Sequence, residues 1–459
     1  MEHDESSRDM TEPEAMMWSI ERDPWLAPSG GSITIYDRPL DFERFKAAVA
    51  NAIAVEPRLT QHVIDPVAPV ATPHWEPDEE FDIDWHVRRI GAPGDGSLQD
   101  LLDWTVVFLE DPYDRTRPLW QFVVLDGVEG GRGALAIKLH HVVADGKGFV
   151  RVVAAYTDLE RDHRYPEPEP EQDAAVETST DQGGVSNTFG GAFRRPMAAG
   201  RAVLDILTSP TKMIEFGREV ETALRATNDQ LHPAGSPLWK KRSRRRHGEA
   251  ISLPFDAAHT CWKALGGTLN DFFITGIVDG ASRYHQAKGA DLERLHITFV
   301  VSTRRPDTKE SNAFTPIPLY LPAEPMAAAE RFTTIRDLLH AKRDEVRGGG
   351  PMAALAVVAN LLPSSVVSNV TRSQAAHIDI ATSNLPGYLG DSYVAGAKTL
   401  HCYAFGPVAG TACNITLYTT AGSIDIGLHI DPVAIEDPGL LRQCVQEAFD
   451  ELLAIDVTT

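Results

Sequence analysis

His140-His141-Val142-Val143-Ala144-Asp145-Gly146 is the stretch from which the rest of this 459-residue chain is best read. The run before it, Ala134 to Leu139, alternates, with Leu135, Ile137 and Leu139 on one face, which predicts a half-buried strand. Asp145-Gly146 is a turn signal. The two histidines therefore stand where a strand stops and a loop begins, a place that suits reactive groups carried by a rigid scaffold. Histidine takes up and returns a proton near neutral pH. Asp145, four residues beyond His141, can hold the loop and fix the imidazole indirectly. The plainer alternative is a strand end with two incidental histidines and an Asp-Gly turn.

Composition narrows the classes. A chain of 459 residues is long enough for two domains. Hydrophobic content of 43% with 24% charged residues is that of an ordinary globular protein. With 43 Lys and Arg against 65 Asp and Glu, the net charge is −22, which argues against nucleic acid as a general partner. Cys261, Cys402, Cys413 and Cys444 are dispersed and form no CxxC pair, so neither a disulfide framework nor a zinc site is expected, and a reducing compartment fits. The acidic start Met1-Glu2-His3-Asp4-Glu5 is not that of a signal peptide. The longest apolar stretch, Met352 to Leu362, is about half a membrane span and holds Asn360, so no transmembrane helix is expected.

Along the chain, Asp41 opens a helix with Phe42, Phe45, Val49 and Ile53 on one stripe, ended near Pro57. Ser97-x-x-Asp100 is a capping-box signature for a second helix, stopped before Pro112. Pro118-Leu119-Trp120 starts a strand running through Leu125, and a Gly-rich turn leads into the histidine strand. From Glu160 the composition shifts: Pro166-Glu167-Pro168-Glu169-Pro170-Glu171 is stiff, acidic and too poor in large apolar residues to pack. Helical pattern returns at Val203, Leu204, Ile206 and Leu207 and continues to Leu224. Lys240-Lys241-Arg242-Ser243-Arg244-Arg245-Arg246 reads either as a solvated basic loop or as a site for phosphates of coenzyme A or an anionic lipid surface.

Thr268-Leu269-Asn270-Asp271 opens another helix, in which Gly276 and Gly280 leave room for a close neighbour. Capping explains Asp271; it leaves Asn270 open as an active-site donor or a structural amide. Leu295 to Val301 reads as a strand ending in Arg304-Arg305-Pro306, and Phe332, Ile335, Leu339 and Val346 mark a further helix. Met352 to Leu362 is a core helix by default, with a membrane-touching lid as the other reading. Ile424, Ile426, Leu428 and Ile430 alternate as a strand. No GxGxxG, P-loop or GxSxG sequence is present, which removes the support for nucleotide folds and for a covalent serine esterase.

The histidine stretch resembles the HHxxxDG motif of the acyltransferase superfamily that includes chloramphenicol acetyltransferase and peptide-synthetase condensation domains. Within it, the chain most resembles the bacterial wax ester synthase/diacylglycerol acyltransferase family. Pro118-Leu119-Trp120 after Asp114-Arg115, Asn270-Asp271, Ser383-Asn384-Leu385-Pro386-Gly387, Gly406-Pro407, Gly410, Asn414-Ile415 and Asp431 all match its blocks. Tyr388 stands where a proline is usual, and Thr419-Thr420 replace a Ser-Tyr pair ahead of Gly422. The resemblance runs from about Thr11 to Asp437.

That resemblance implies an α/β fold of two chloramphenicol-acetyltransferase-like halves, mixed sheets with flanking helices, and an active site at their interface. The halves would be residues 1–160 and 246–459, with 161–245 as acidic Pro-rich linker and crossover. His141 would be the general base that takes the proton of an attacking hydroxyl and returns it to the leaving thiolate. His140 and Asp145 would shape the loop, and Asn270 would help hold the oxyanion. Gly146, Pro118, Leu119, Trp120, Ser383 and Asn384 would line the substrate site, although Pro-Leu-Trp alone is equally a strand start with a packing tryptophan. The reaction implied is acyl transfer from acyl-coenzyme A, as substrate and without a cofactor or metal, to a long-chain alcohol or diacylglycerol. The location expected is cytoplasmic, peripheral on the inner membrane face or on lipid droplets. A condensation-type enzyme using a carrier-protein thioester and a catalytically silent lipid-binding paralogue are the competing readings.

Overall fold

The computed structural model describes residues 9–27, 29–65, 72–144, 146–163, 235–302, 314–347 and 364–455. The helical pattern at 203–224, most of the acidic linker, Arg304-Arg305-Pro306 and the Met352–Leu362 stretch lie outside them.

The first part of the chain forms α1 (Glu12–Ile20), β1 (Ser29–Tyr36), α2 (Phe42–Val55), β2 (Gln61–Ile64), β3 (His74–Pro77), the single turn α3 (Ile83–His86) and β4 (Val87–Gly91). It continues with α4 (Leu98–Glu110), β5 (Trp120–Val128), β6 (Arg132–His140) and α5 (Gly146–Ala155). After the linker come β7 (His247–Pro254), α6 (Phe255–Ala264), α7 (Leu269–Ala287), β8 (Arg294–Ser302), β9 (Phe314–Pro322), α8 (Ala328–Arg347) and α9 (Ser364–Ala375). The chain closes with β10 (Ile380–Leu385), β11 (Tyr393–Val394), β12 (Ala397–Phe405), β13 (Cys413–Thr420), β14 (Ser423–Ile430) and α10 (Pro438–Leu453).

Helix starts fall where side chains relieve unpaired backbone amides. Asp41 accepts from the Arg44 N–H at 3.2 Å, and Ser97 with Asp100 and Thr268 with Asp271 close full capping boxes. A third box, Thr11 with Glu14, opens α1. The glycines of α7 do what their spacing predicts. A Cβ at Gly276 would come within 2.2 Å of the Phe449 ring, and one at Gly280 within 2.6 Å of the Val445 Cα, so α7 and α10 approach as only glycine allows.

Two six-stranded mixed sheets carry the fold, ordered β11-β12-β1-β6-β5-β4 and β7-β14-β13-β10-β8-β9. The first departs from a simple division of the chain: β11 and β12, from the C-terminal part, complete its edge. A boundary at residue 246 therefore cuts one sheet rather than separating two. β12 pairs antiparallel with β1, from Gly31 opposite Phe405 to Tyr36 opposite Thr399. It also lies on the second sheet, where the Cys402 N–H donates to Asp425 Oδ2 at 2.8 Å. A Cβ at Gly427 would sit 2.2 Å from the Ala404 carbonyl oxygen, so glycine is required where the two sheets meet.

β6 is buried on both faces rather than one. Leu135, Ile137 and Leu139 enter a core with Phe45 and Val49 of α2, while Ala134 and Ala136 pack beneath Leu101, Val106 and Leu109 of α4. The small alanines are what allow α4 to cover the second face. A separate core fills the second half, built around Phe272, Phe273 and Ile277 of α7 against Cys413, Ile415 and Leu417 of β13.

Candidate active site

The histidine pair divides as strand alternation requires. His140, the last residue of β6, has its N–H on the Leu119 carbonyl at 3.1 Å and no exposed surface. Its Nδ1 accepts the Val142 N–H at 3.1 Å, so the neutral ring carries its proton on Nε2. That nitrogen faces Glu21 Oε2 at 3.3 Å, outside hydrogen-bond geometry. Trp18 and Tyr113 stand edge-on to the ring, with centroids 6.3 and 5.5 Å away. His140 is thus enclosed and has no position for a substrate.

His141, in the turn that follows, is partly exposed. Its ring edge hangs over β1: a methyl placed on Gly30 would lie 3.6 Å from His141 Nε2, 3.7 Å from Cε1 and 3.7 Å from the Phe405 carbonyl oxygen. The imidazole therefore points at the seam between β1 and the incoming β12. Gly31, by contrast, is closed off, since a Cβ there would strike the Ile137 carbonyl oxygen at 2.0 Å.

The far wall of that seam is a polar network from the second sheet. The Gly406 N–H donates to Thr416 Oγ1 at 3.1 Å, Thr416 donates to Asn414 Oδ1 at 2.9 Å, and Asn414 Nδ2 donates to the Pro407 carbonyl at 3.0 Å. His429 Nδ1 donates to the Gly406 carbonyl at 2.9 Å. Burial, helped by the nearby Arg246 charge, pushes His429 down to about 3, so it stays neutral. Ser383 of β10 is paired with Thr416 of β13 and shares a face with Leu385, which packs against the first core. The histidine loop, Gly30, Phe405 to Pro407, Thr416 and Ser383 are brought together.

Around His140 the charges are arranged in depth. Burial opposes ionisation of Glu21, but the His140 imidazole facing it and the charges of Arg115 and Lys138 lower its pKa overall. Burial pushes Lys138 down to about 8; its ammonium bonds the Asp111 carbonyl and lies 4.4 Å from the Tyr113 ring centroid.

Other residues singled out in the sequence take different places. Pro118, Leu119 and Trp120 are buried, and the Trp120 indole N–H donates to the Leu59 carbonyl at 2.7 Å while its ring stacks on His86 at 4.5 Å. The Trp120 ring and N–H are used inside the core, so this motif packs β5, and Leu119 anchors His140 through its carbonyl. Asn270 sits in the first turn of α7, beside Phe272 and Phe273, which join the core on the odd-numbered face of β13. Thr416 is on the even-numbered face, so the sheet stands between α7 and the seam. Asn384 alternates with Ser383 onto the other face of β10. Gly146 is the first residue of α5, and Asp145 lies outside the described residues.

The basic run is divided. Arg242 donates to the carbonyls of Gly410, Ala376 and Ile378 at 3.0, 3.1 and 3.2 Å, and Arg246 bonds Glu110 of α4 at 2.9 Å. Lys240, Lys241, Arg244 and Arg245 are exposed. Thr419, one of the departures from the resembled family, accepts the Gly387 N–H at 2.9 Å and so latches the loop after β10. Gly30 and His429 drew no notice in the sequence. The Gly30-Gly31 pair inside a strand was a legible sign of close approach; nothing local marked His429.

The profile described as wax ester synthase/diacylglycerol acyltransferase catalytic domain matches residues 3–273, and that family's C-terminal domain matches 310–453. The chain belongs to the wax ester synthase/diacylglycerol acyltransferase family. A relative from Mycobacterium tuberculosis strain H37Rv, named as a diacylglycerol O-acyltransferase, is 32% identical over 439 residues, covering 92% of this chain and 87% of its own. Another from the same strain and with the same activity in its name is 23% identical, covering 93% and 91%. Among solved structures, the wax ester synthase/diacylglycerol acyltransferase of Marinobacter aquaeolei VT8 superposes with a TM-score of 0.65 at 18% identity, over 97% of this chain and 98% of that one. The first condensation domain of the calcium-dependent antibiotic synthetase gives 0.61 at 17%, over 98% and 97%. Both are likenesses of fold, and they bear out a mixed α/β architecture of sheets with flanking helices. No helix among the described residues is long and apolar enough to cross a membrane.

Proposed function

We propose that this family member is an acyl-coenzyme A-dependent O-acyltransferase that esterifies a long-chain alcohol or diacylglycerol, with His141 as general base. The observation that carries the reading is the direction of His141: its Nε2 edge lies over Gly30 at the seam, whereas His140 is turned into the core, with Nδ1 on the Val142 N–H and Nε2 facing Glu21.

The thioester is already activated, and the alcohol is a poor nucleophile until its proton leaves. His141 takes that proton as the hydroxyl oxygen attacks the thioester carbonyl. When the tetrahedral intermediate collapses, the C–S bond breaks and the same imidazole returns the proton to the departing thiolate. The protein forms no covalent bond, in keeping with the absence of a nucleophile elbow. The position of Ser383 beside Thr416 supports it as a contact to substrate; that of Asn270 behind the sheet supports a role in helix packing.

The deciding experiment incubates purified protein with palmitoyl-coenzyme A. Free coenzyme A should be released only when a long-chain alcohol or diacylglycerol is added, and ester should form in equal amount. Release without an acceptor, or none with either, would sink the proposal. The acceptors are water-insoluble, so the protein is also proposed to work peripherally at membrane or lipid-droplet surfaces; failure to float with liposomes, anionic ones included, would remove that part.

A further inference from the structure

Val142, the residue after His141, is held on both sides by groups that one short N-terminal segment fixes. Its N–H donates to His140 Nδ1 at 3.1 Å, and its carbonyl accepts from Arg58 Nη1 at 3.2 Å. Behind these stand two carboxylates, Glu14 in the first turn of α1 and Glu21 at its C-cap. Glu21 Oε2 lies 3.3 Å from His140 Nε2, and Glu14 Oε1 accepts from Arg58 Nη1 at 2.7 Å. Glu14 has no exposed surface and is itself fixed by the capping box, its Oε2 accepting the Thr11 N–H at 2.8 Å. Glu21 is held from its other side by Arg115 at 3.3 Å, whose guanidinium stacks on Trp18 at 3.4 Å. Trp18 is tied down by its indole N–H on Asp65 at 2.6 Å. Neither carboxylate is placed to receive a proton from substrate.

The consequence lies in imidazole tautomerism. With the proton on Nε2, His140 can accept the Val142 N–H; with the proton on Nδ1, two N–H groups would face each other and the turn would open. A carboxylate facing Nε2 only accepts, and so favours the first form. We propose, on the basis of the reaction above, that Glu21 is a positioning residue: through His140 it fixes the Val142 amide and with it the direction in which His141 presents Nε2. Glu14 and Arg58 hold the other side of Val142, so α1 is a brace for the catalytic turn.

Glutamine at position 21 keeps the shape but can present either an oxygen or an NH2, so it no longer imposes one tautomer. Asparagine at 140 offers an amide oxygen to Val142 and has no tautomer to impose. The test measures kcat and KM for palmitoyl-coenzyme A and a long-chain alcohol, with melting temperatures, in full-length wild type, Glu21→Gln, His140→Asn and the double variant. Glu21→Gln should lower kcat roughly tenfold, leave both KM values unchanged and keep the wild-type melting temperature. In the His140→Asn background the same change should cost less than about twofold. An unchanged kcat, a loss confined to KM, or an equal loss in both backgrounds overturns the assignment. Imidazole 15N shifts, assigned by difference from His140→Asn, read the tautomer without reference to turnover. Wild type should show His140 with an unprotonated Nδ1, and Glu21→Gln a mixture. An Nδ1-protonated wild type, or an unchanged spectrum in Glu21→Gln, also overturns it. If wild type releases no coenzyme A, the reaction fails while the spectra still decide the link between Glu21 and His140.

Discussion

Replacing His141 by alanine removes the imidazole edge that lies over Gly30 at the seam. Turnover should fall roughly 10²–10⁴-fold, the usual worth of a general base, with acyl-coenzyme A binding in calorimetry unchanged. Near-normal turnover in that variant, with His140→Ala folded but inactive, would reverse the two roles. His429 makes a different prediction. Its folded-state value, about 3, is below the ordinary histidine range, so the unfolded chain binds the extra proton and stability falls as pH drops below about 6.5 towards 3. The slope from this group is about 1.4 kcal/mol per pH unit. Urea midpoints compared at pH 7 and pH 5 should fall less in His429→Gln than in wild type; parallel losses would mean His429 is not the acid-labile group. At this scale the division of the two histidines, one enclosed and one at the seam, was legible in the sequence because strand alternation sends adjacent side chains opposite ways. The groups that hold His140 and Val142 were not, because Glu21 and Arg58 reach them from positions far away in the chain.

Individual helices and strands were legible to within a few residues wherever a cap and a periodic stripe agreed, as at Asp41, Ser97 and Thr268. The position of α7 relative to the seam was not, since periodicity tells which stripe is buried and not against which face of which sheet. The basic run shows the same limit: seven residues of one composition divide into inward anchors and outward cations only once Arg242 and Arg246 find their partners. Changing the exposed Lys240, Lys241, Arg244 and Arg245 to Gln should therefore weaken binding to anionic liposomes or coenzyme A with little effect on melting temperature. Adding Arg246→Gln should lower the melting temperature too, because it leaves Glu110 without its partner at the junction of the halves. Unchanged binding in the quadruple variant would return the run to a solvated loop.

On the scale of the molecule, β12 makes the two halves mechanically one, as a division by sequence at residue 246 does not suggest. Which sheet this strand joins depends on Gly427 admitting it and Asp425 catching the Cys402 amide. Urea unfolding should accordingly be a single transition, with tryptophan emission and far-ultraviolet circular dichroism superimposing. Two separated transitions would mean that the halves are held together by less than β12 implies.

The same strand imposes a timetable on synthesis. β1 and β6 leave the ribosome long before β12, and at ordinary elongation rates the roughly 260 residues between β6 and the end of β12 take on the order of 10–50 s to make. Throughout that interval the edge of β1 that will receive Gly31 to Phe405 pairing has no neighbour, which is the condition under which strands find wrong partners. The nascent N-terminal half thus carries an open strand edge by virtue of its topology, and slowing translation between the two strands should lower the yield of native protein.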